Sequence, residues 1–295
     1  MKRFIMTVAA VLAGFMMMNG QGLKEANEAA RTASAALSQG DYVSALAGFQ
    51  SALKVAQECG KNGEKLVDVC KGIIPKTMAA IANQKLIDKD YDGALFNLHQ
   101  ALLACNEYGD DATKADIDAL LPQVYVVQGA SLADAGSYEA AAEAFAKARE
   151  LNPADGLAAL REGLALEGAG KGEEAVAAYK EAAENGQEHN ATLQLGKYYI
   201  KSAVDAFNSE NYEKAVSDAL TSNNYVANPQ TLQIAGQASQ LLGKNTDAII
   251  YFTDYMKAAP EAENYSQIAY TVGAIYQQMG DKAKAKGFFE KAGLK

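Results

Sequence analysis

Residues 136–153 read GSYEAAAEAFAKARELNP, with Gly136, Tyr138, Ala141, Phe145, Ala148 and Pro153 at fixed offsets. Whether this is one alanine-rich helix or one copy of a repeated unit decides the fold, and decides whether an active site or a surface is to be sought. In a helix, Ala141, Phe145 and Ala148 share one face, since residues three and four apart are neighbours.

The pattern recurs six more times. GDYVSALAGFQSAL carries Gly40, Tyr42, Ala45, Phe49 and Ala52; DYDGALFNLHQAL carries Tyr91, Ala94, Leu98 and Ala101. GKGEEAVAAYKEA carries Gly170, Gly172, Ala175, Tyr179 and Ala182; NYEKAVSDALTS carries Tyr212, Ala215, Ala219 and Ser222. GKNTDAIIYFTDY carries Gly243, Ala248, Phe252 and Tyr255, with Pro260 beyond, and GDKAKAKGFFEKA carries Gly280, Ala285, Phe289 and Ala292. A second signal precedes each copy. Twelve residues before the central alanine stand Ala33, Ala82, Gly129, Gly163, Ala203, Gly236 and Gly273, all alanine or glycine.

These residues describe an αα-hairpin. The first helix carries one small residue where its partner crosses, a glycine-containing turn follows, and the second helix sets a bulky residue beside two small ones. Pro153 and Pro260 end their units, because proline cannot continue a helix. One hairpin cannot bury both of its faces, so the copies must stack.

The set resembles the tetratricopeptide repeat, a 34-residue helix-turn-helix module, over roughly residues 25 to 295. The resemblance implies an all-α fold, a right-handed superhelical solenoid of about seven hairpins. Departures exist: no copy has the early tryptophan, Ala219 replaces a bulky residue, and Gly172, Asn245 and Lys282 replace the tyrosine of the turn. Central alanines lie 49 and 47 residues apart in the first two intervals, longer than the module. GKNGEK and NEYGDDATK read there as loops before lengthened first helices, with Pro75 and Pro122 as kinks or restarts. The expected organisation is therefore a leader over 1–22, two irregular repeats over 23–121, and five more regular ones over 122–295.

Composition agrees with a folded helical chain: 295 residues, 49% hydrophobic, five prolines and no tryptophan. A net charge of −9 lacks the basic footprint of a phosphate-backbone binder, so no nucleic acid is expected. Lys2 and Arg3 precede the apolar run FIMTVAAVLAGFMMM, which is short of the roughly 20 residues a membrane span needs. It reads as a secretory leader cleaved after Gly22, leaving no stable membrane span and a periplasmic or secreted chain. Removal leaves 25 basic against 36 acidic residues. Export permits a disulfide; of Cys59, Cys70 and Cys105, the latter two flank the turn at Lys89 and are expected to approach each other.

No chemistry is read from the chain. GAGKGEE lacks the first glycine and the final hydroxyl of a phosphate loop, and reads as the turn of the fourth repeat. His99 and His189 have no cysteine or carboxylate at motif spacing, so no catalytic residue, metal or cofactor is expected. Glu173–Glu174 and Asp110–Asp111 read as helix starts or loops. Surface remains. The resemblance implies a groove lined by first helices that binds a protein or peptide partner. By alignment it holds Lys197, Ile200, Val204 and Phe207 in repeat five, Gln230, Gln233, Gln237 and Gln240 in repeat six, and Gln267, Tyr270, Gln277 and Gln278 in repeat seven. The competing reading makes Ile200, Val204 and Phe207 core, and the glutamines merely exposed helix formers. The family's clamp of lysines and asparagines for a C-terminal carboxylate is not recognisable. KAKGFFEKAGLK supplies no extra capping helix, so either its lysines solvate the end or Phe288 is exposed and pairs with another subunit. An exported scaffold or adaptor is the leading expectation. A self-assembling envelope subunit, a homo-oligomer through the C-terminal end, is the alternative; an enzyme with an unrecognised site comes last.

Overall fold

The computed structural model describes residues 20–294, so the leader expected over 1–22 lies outside the described residues but for its last three positions. Among the described residues are fourteen α-helices and no strand. They form seven hairpins in chain order. The first three are α1 (Gln21–Ser38) with α2 (Tyr42–Glu58), α3 (Glu64–Ile87) with α4 (Tyr91–Tyr108), and α5 (Asp111–Asp134) with α6 (Tyr138–Leu151). The last four are α7 (Gly156–Gly168) with α8 (Gly172–Ala182), α9 (Glu188–Asn208) with α10 (Tyr212–Tyr225), α11 (Pro229–Leu241) with α12 (Asn245–Ala258), and α13 (Tyr265–Gln278) with α14 (Lys282–Lys291). The chain divides into two units between Pro153 and Ala154, three hairpins in one and four in the other. Residue 122 lies inside α5.

The seven turns share one backbone device. Gly40, Lys89, Gly136, Gly170, Glu210, Gly243 and Gly280 occupy the same place and all have positive φ. That conformation ends the first helix in a left-handed residue, which glycine adopts without a Cβ clash. Lys89 and Glu210 adopt it at a steric cost of about 1–2 kcal/mol each. A short polar side chain then caps several of the second helices: Asp41 accepts from the Ser44 N–H, Asp90 from Gly93, Asn211 from Lys214, and Asp281 from Lys284.

Packing follows the repeated register. Ala45, Ala94, Ala141, Ala175, Ala215, Ala248 and Ala285 are all buried, none more than 3% exposed. The glycines of the first helices show why they are small. A Cβ at Gly129 would meet the Phe145 ring at 2.9 Å, one at Gly163 the Tyr179 ring at 2.5 Å, and one at Gly236 the Phe252 ring at 2.7 Å. The aromatic residue of these second helices thus lies against the backbone of its partner helix. Ala141→Leu is expected to overpack this crossing and cost about 1–3 kcal/mol by urea unfolding. Glu139→Leu, an exposed site two residues away, is expected to cost far less; equal losses would refute the register.

The long intervals resolve as helix more than loop. Both α3 and α5 run to 24 residues, about 36 Å at 1.5 Å per residue. GKNGEK contributes only a three-residue 3-10 turn before α3. NEYGDDATK is mostly helix, interrupted by left-handed Gly109 and by Asp110, whose carboxylate caps α5 at the Thr113 N–H. Pro75 and Pro122 restart nothing: both are buried within continuous helices. Cys70 and Cys105 enter different core clusters, and all three cysteines are free thiols. The expected approach of Cys70 to Cys105 is not a bridge here.

Candidate functional site

In the C-terminal unit, the second half of α9 runs beside α11. On α9, Val204 and Phe207 stand one turn apart and both pack against the cluster of Ala203, Ala206, Ala215, Ala219 and Ile234. Asn208 follows at the helix end. On α11, Asn228 accepts from the Gln230 N–H and Pro229 takes the first helical position, where its missing N–H costs nothing. That start places Gln230, Gln233 and Gln237 along one face. Val204, Phe207, Asn208, Gln230, Gln233, Ile234 and Gln237 together line a cleft of about 180 Å³. Its floor is apolar, its rim is four side-chain amides, and no charged side chain lines it. Phe207 is held edge-on to Tyr212, ring centroids 5.5 Å apart. Gln233 is tied from behind: its Oε1 accepts from Asn264 Nδ2 at 3.2 Å, and Asn264 Oδ1 accepts from the buried Tyr255 hydroxyl at 2.5 Å.

The structure thus brings five of the twelve sequence-predicted residues into this cleft: Val204, Phe207, Gln230, Gln233 and Gln237. Tyr270 and Gln277 line a different one, with Lys282 and Phe289. Lys197, Gln240, Gln267 and Gln278 are exposed outside both. Ile200, Val204 and Phe207 are all half-buried against the same core cluster, and the latter two also line the cleft.

Residues 266–292, nearly all of hairpin α13–α14, match the family described as tetratricopeptide repeat. Six preceding hairpins carry the same register. The chain's fold is of the tetratricopeptide-repeat type. Among solved structures, this chain is similar to a crystal structure of MamA, at 16% identity, covering 56% of this chain and 91% of that one, with a TM-score of 0.33. It is also similar to MamA AMB-1, at 21% identity, 58% and 90% coverage and a TM-score of 0.36. A third is YrrB, described as a TPR protein with an unusual peptide-binding site, at 18% identity, 57% and 83% coverage and a TM-score of 0.33. No curated protein matches the chain.

Two further places in these repeats were not legible from the sequence. In the N-terminal unit, α1, α3 and α5 enclose an apolar pocket of about 300 Å³ lined by Leu37, Ala79, Ile117 and Leu120, with Lys76 and Asp116 beside them. Its α5 residues come from the lengthened part of that helix, which no alignment to a 34-residue module reaches. Between hairpins four and five, a cleft of about 550 Å³ is lined by Gly170, Gly172, Tyr198, Ser202 and Lys214 among others. There Lys214 Nζ donates to Ser202 Oγ at 3.1 Å and to Asp218 Oδ2 at 2.6 Å, and Ser202 donates to the same carboxylate oxygen. The hydrogen bond to Asp218 raises the Lys214 pKa, so the ammonium stays charged and cannot take a proton from Ser202. The Ser–Lys pair is structural. Among the described residues no three histidine, cysteine or carboxylate side chains could hold a metal ion, and no helix is long and apolar enough to cross a membrane.

Proposed function

We propose that this chain is an exported tetratricopeptide-repeat adaptor, periplasmic or secreted, that binds an extended and uncharged segment of a partner protein between α9 and α11. The observation that carries the reading is the cleft's lining: an apolar floor of Val204, Phe207 and Ile234 under a rim of Asn208, Gln230, Gln233 and Gln237. Such a floor takes an apolar side chain, and side-chain amides both donate to and accept from a peptide backbone. The leader-like run over residues 4–18 supports export.

The test is a cross-linking pull-down from native envelope extract with the mature protein and two double variants. Gln230→Glu with Gln237→Glu places two carboxylates on the cleft rim; Gln267→Glu with Gln278→Glu places them outside it. Loss of a partner with the first variant only, and capture that survives added salt, is the expected outcome. Equal capture by all three proteins, or capture that collapses steeply with salt, would remove this cleft as the site.

A further inference from the structure

We propose that the outward face of hairpin α13–α14 docks a helix of a partner protein, an amphipathic helix whose apolar stripe is flanked by carboxylates. The repeat supplies its own control. In six hairpins the residue at the Phe145 position (Phe49, Leu98, Phe145, Tyr179, Ala219, Phe252) is closed off from solvent, at 2% exposure or less. Phe289 holds the seventh place and is only half-buried. Its packing inside its own hairpin is intact: a Cβ at Gly273 would sit 2.7 Å from its ring, the same approach as Gly236 makes to Phe252. The difference lies on the other side. Around Phe252, the helix of the next hairpin completes the cluster with Ile268, Val272 and Ile275 of α13. Around Phe289, no element of the described residues does so. An open cleft of about 680 Å³ lies there instead, lined by Phe289, Tyr270, Ala285 and Leu294, with Tyr270 and Leu294 52% and 48% exposed. Phe288, also half-buried, is stacked on Tyr276 and packs against the core cluster, so the aromatics lining the cleft are Phe289 and Tyr270 and not the one the sequence singled out.

Charge selects the occupant. In a chain of net charge −9, α14 carries four lysines against one glutamate. Lys282 and Lys286 line the cleft with one carboxylate, Glu290, which Lys286 reaches only at 3.9 Å with both side chains exposed, so the lining stays net positive. A second copy paired through the same face would set these lysines against each other, and like charges across an interface reject a partner. A helix with carboxylates beside its apolar stripe meets both the ring of Phe289 and the rim ammoniums.

The probe is a helix-stapled peptide of residues 265–278, the segment that covers the equivalent face one hairpin earlier. One form carries Ser266→Glu, Gln267→Glu and Gln277→Glu; the other carries lysine at the same three positions. Binding to the full chain is read by fluorescence anisotropy. The acidic form is expected to bind about tenfold or more tighter than the basic form, with the gap closing in Lys282→Glu/Lys286→Glu protein of unchanged circular dichroism. Tyr270→Glu is expected to weaken both forms. Equal affinities, no binding of either form, or indifference to Tyr270→Glu would overturn the proposal. So would a concentration-dependent mass in light scattering that Tyr270→Glu abolishes, which would give the face to a second copy.

Discussion

Phe252→Ala is expected to lower the unfolding free energy by about 3–5 kcal/mol, and Phe289→Ala by no more than about half of that. The two residues hold the same register place, and both lie against a glycine of their partner helix. At Phe252, truncation opens a cavity walled by α11, α12 and α13, and the surrounding helices cannot collapse into it without losing their own contacts. Dispersion contacts are lost on every side of the ring. At Phe289, one side is already open, so less apolar surface leaves water on folding and the neighbours can relax. Urea titrations followed by circular dichroism compare the two directly. A loss at Phe252 below about 1 kcal/mol would mean the register is misplaced. Equal large losses would mean that the face beyond α14 is covered in solution.

The second large effect is alkaline. Cys70 is fully buried among Phe49, Leu66 and Ile74, and burial pushes its thiol up to about 12 from an ordinary value near 9. In the unfolded chain the thiol ionises from about pH 9, whereas in the folded chain it keeps its proton. Above pH 9 the unfolded state therefore binds fewer protons, and stability falls as pH rises toward 12. The full separation corresponds to about 4 kcal/mol, absent below pH 8. Tyr179 acts in the same direction at higher pH, its hydroxyl pushed up first by burial and then by its bond to Glu167. Cys70→Ala should remove the thiol's share: the stability difference between variant and parent should shrink by several kcal/mol between pH 8 and pH 12. A difference that stays constant across that range would show that Cys70 ionises freely in the folded chain.

The hairpins were legible because their determinants are local and repeated. Ala141, Phe145 and Gly129 recur in kind at one spacing, and sequence patterning reports such crossings whenever both helices belong to one unit. The lengths of α3 and α5 were harder to read, since residues 64–75 carry a proline and a glycine that argue for a break; burial of Pro75 and Ile74 in the core outweighs the lost hydrogen bond. The candidate cleft was legible in part. Alignment located Gln230, Gln233 and Gln237, but only the fold brings Asn208 to them and ties Gln233 to Asn264, a pairing across 31 residues that no spacing announces. At the C-terminal face, Phe288 and Phe289 are adjacent in sequence, and only the helix phase decides which of them lines the cleft.

Gly129, Gly163, Gly236 and Gly273 sit in the interiors of α5, α7, α11 and α13. Each lowers the intrinsic helicity of its segment by about 1 kcal/mol relative to alanine, so these four helices are individually poor folders. What they gain is an aromatic ring laid against bare backbone, and that gain exists only when the second helix is present. A segment cut after any first helix keeps the penalty and loses the compensation. The unit gained or lost at each step is consequently the pair, itself dependent on a neighbouring hairpin, and folding, proteolysis or a nascent chain leaving the ribosome must proceed in steps of whole hairpins.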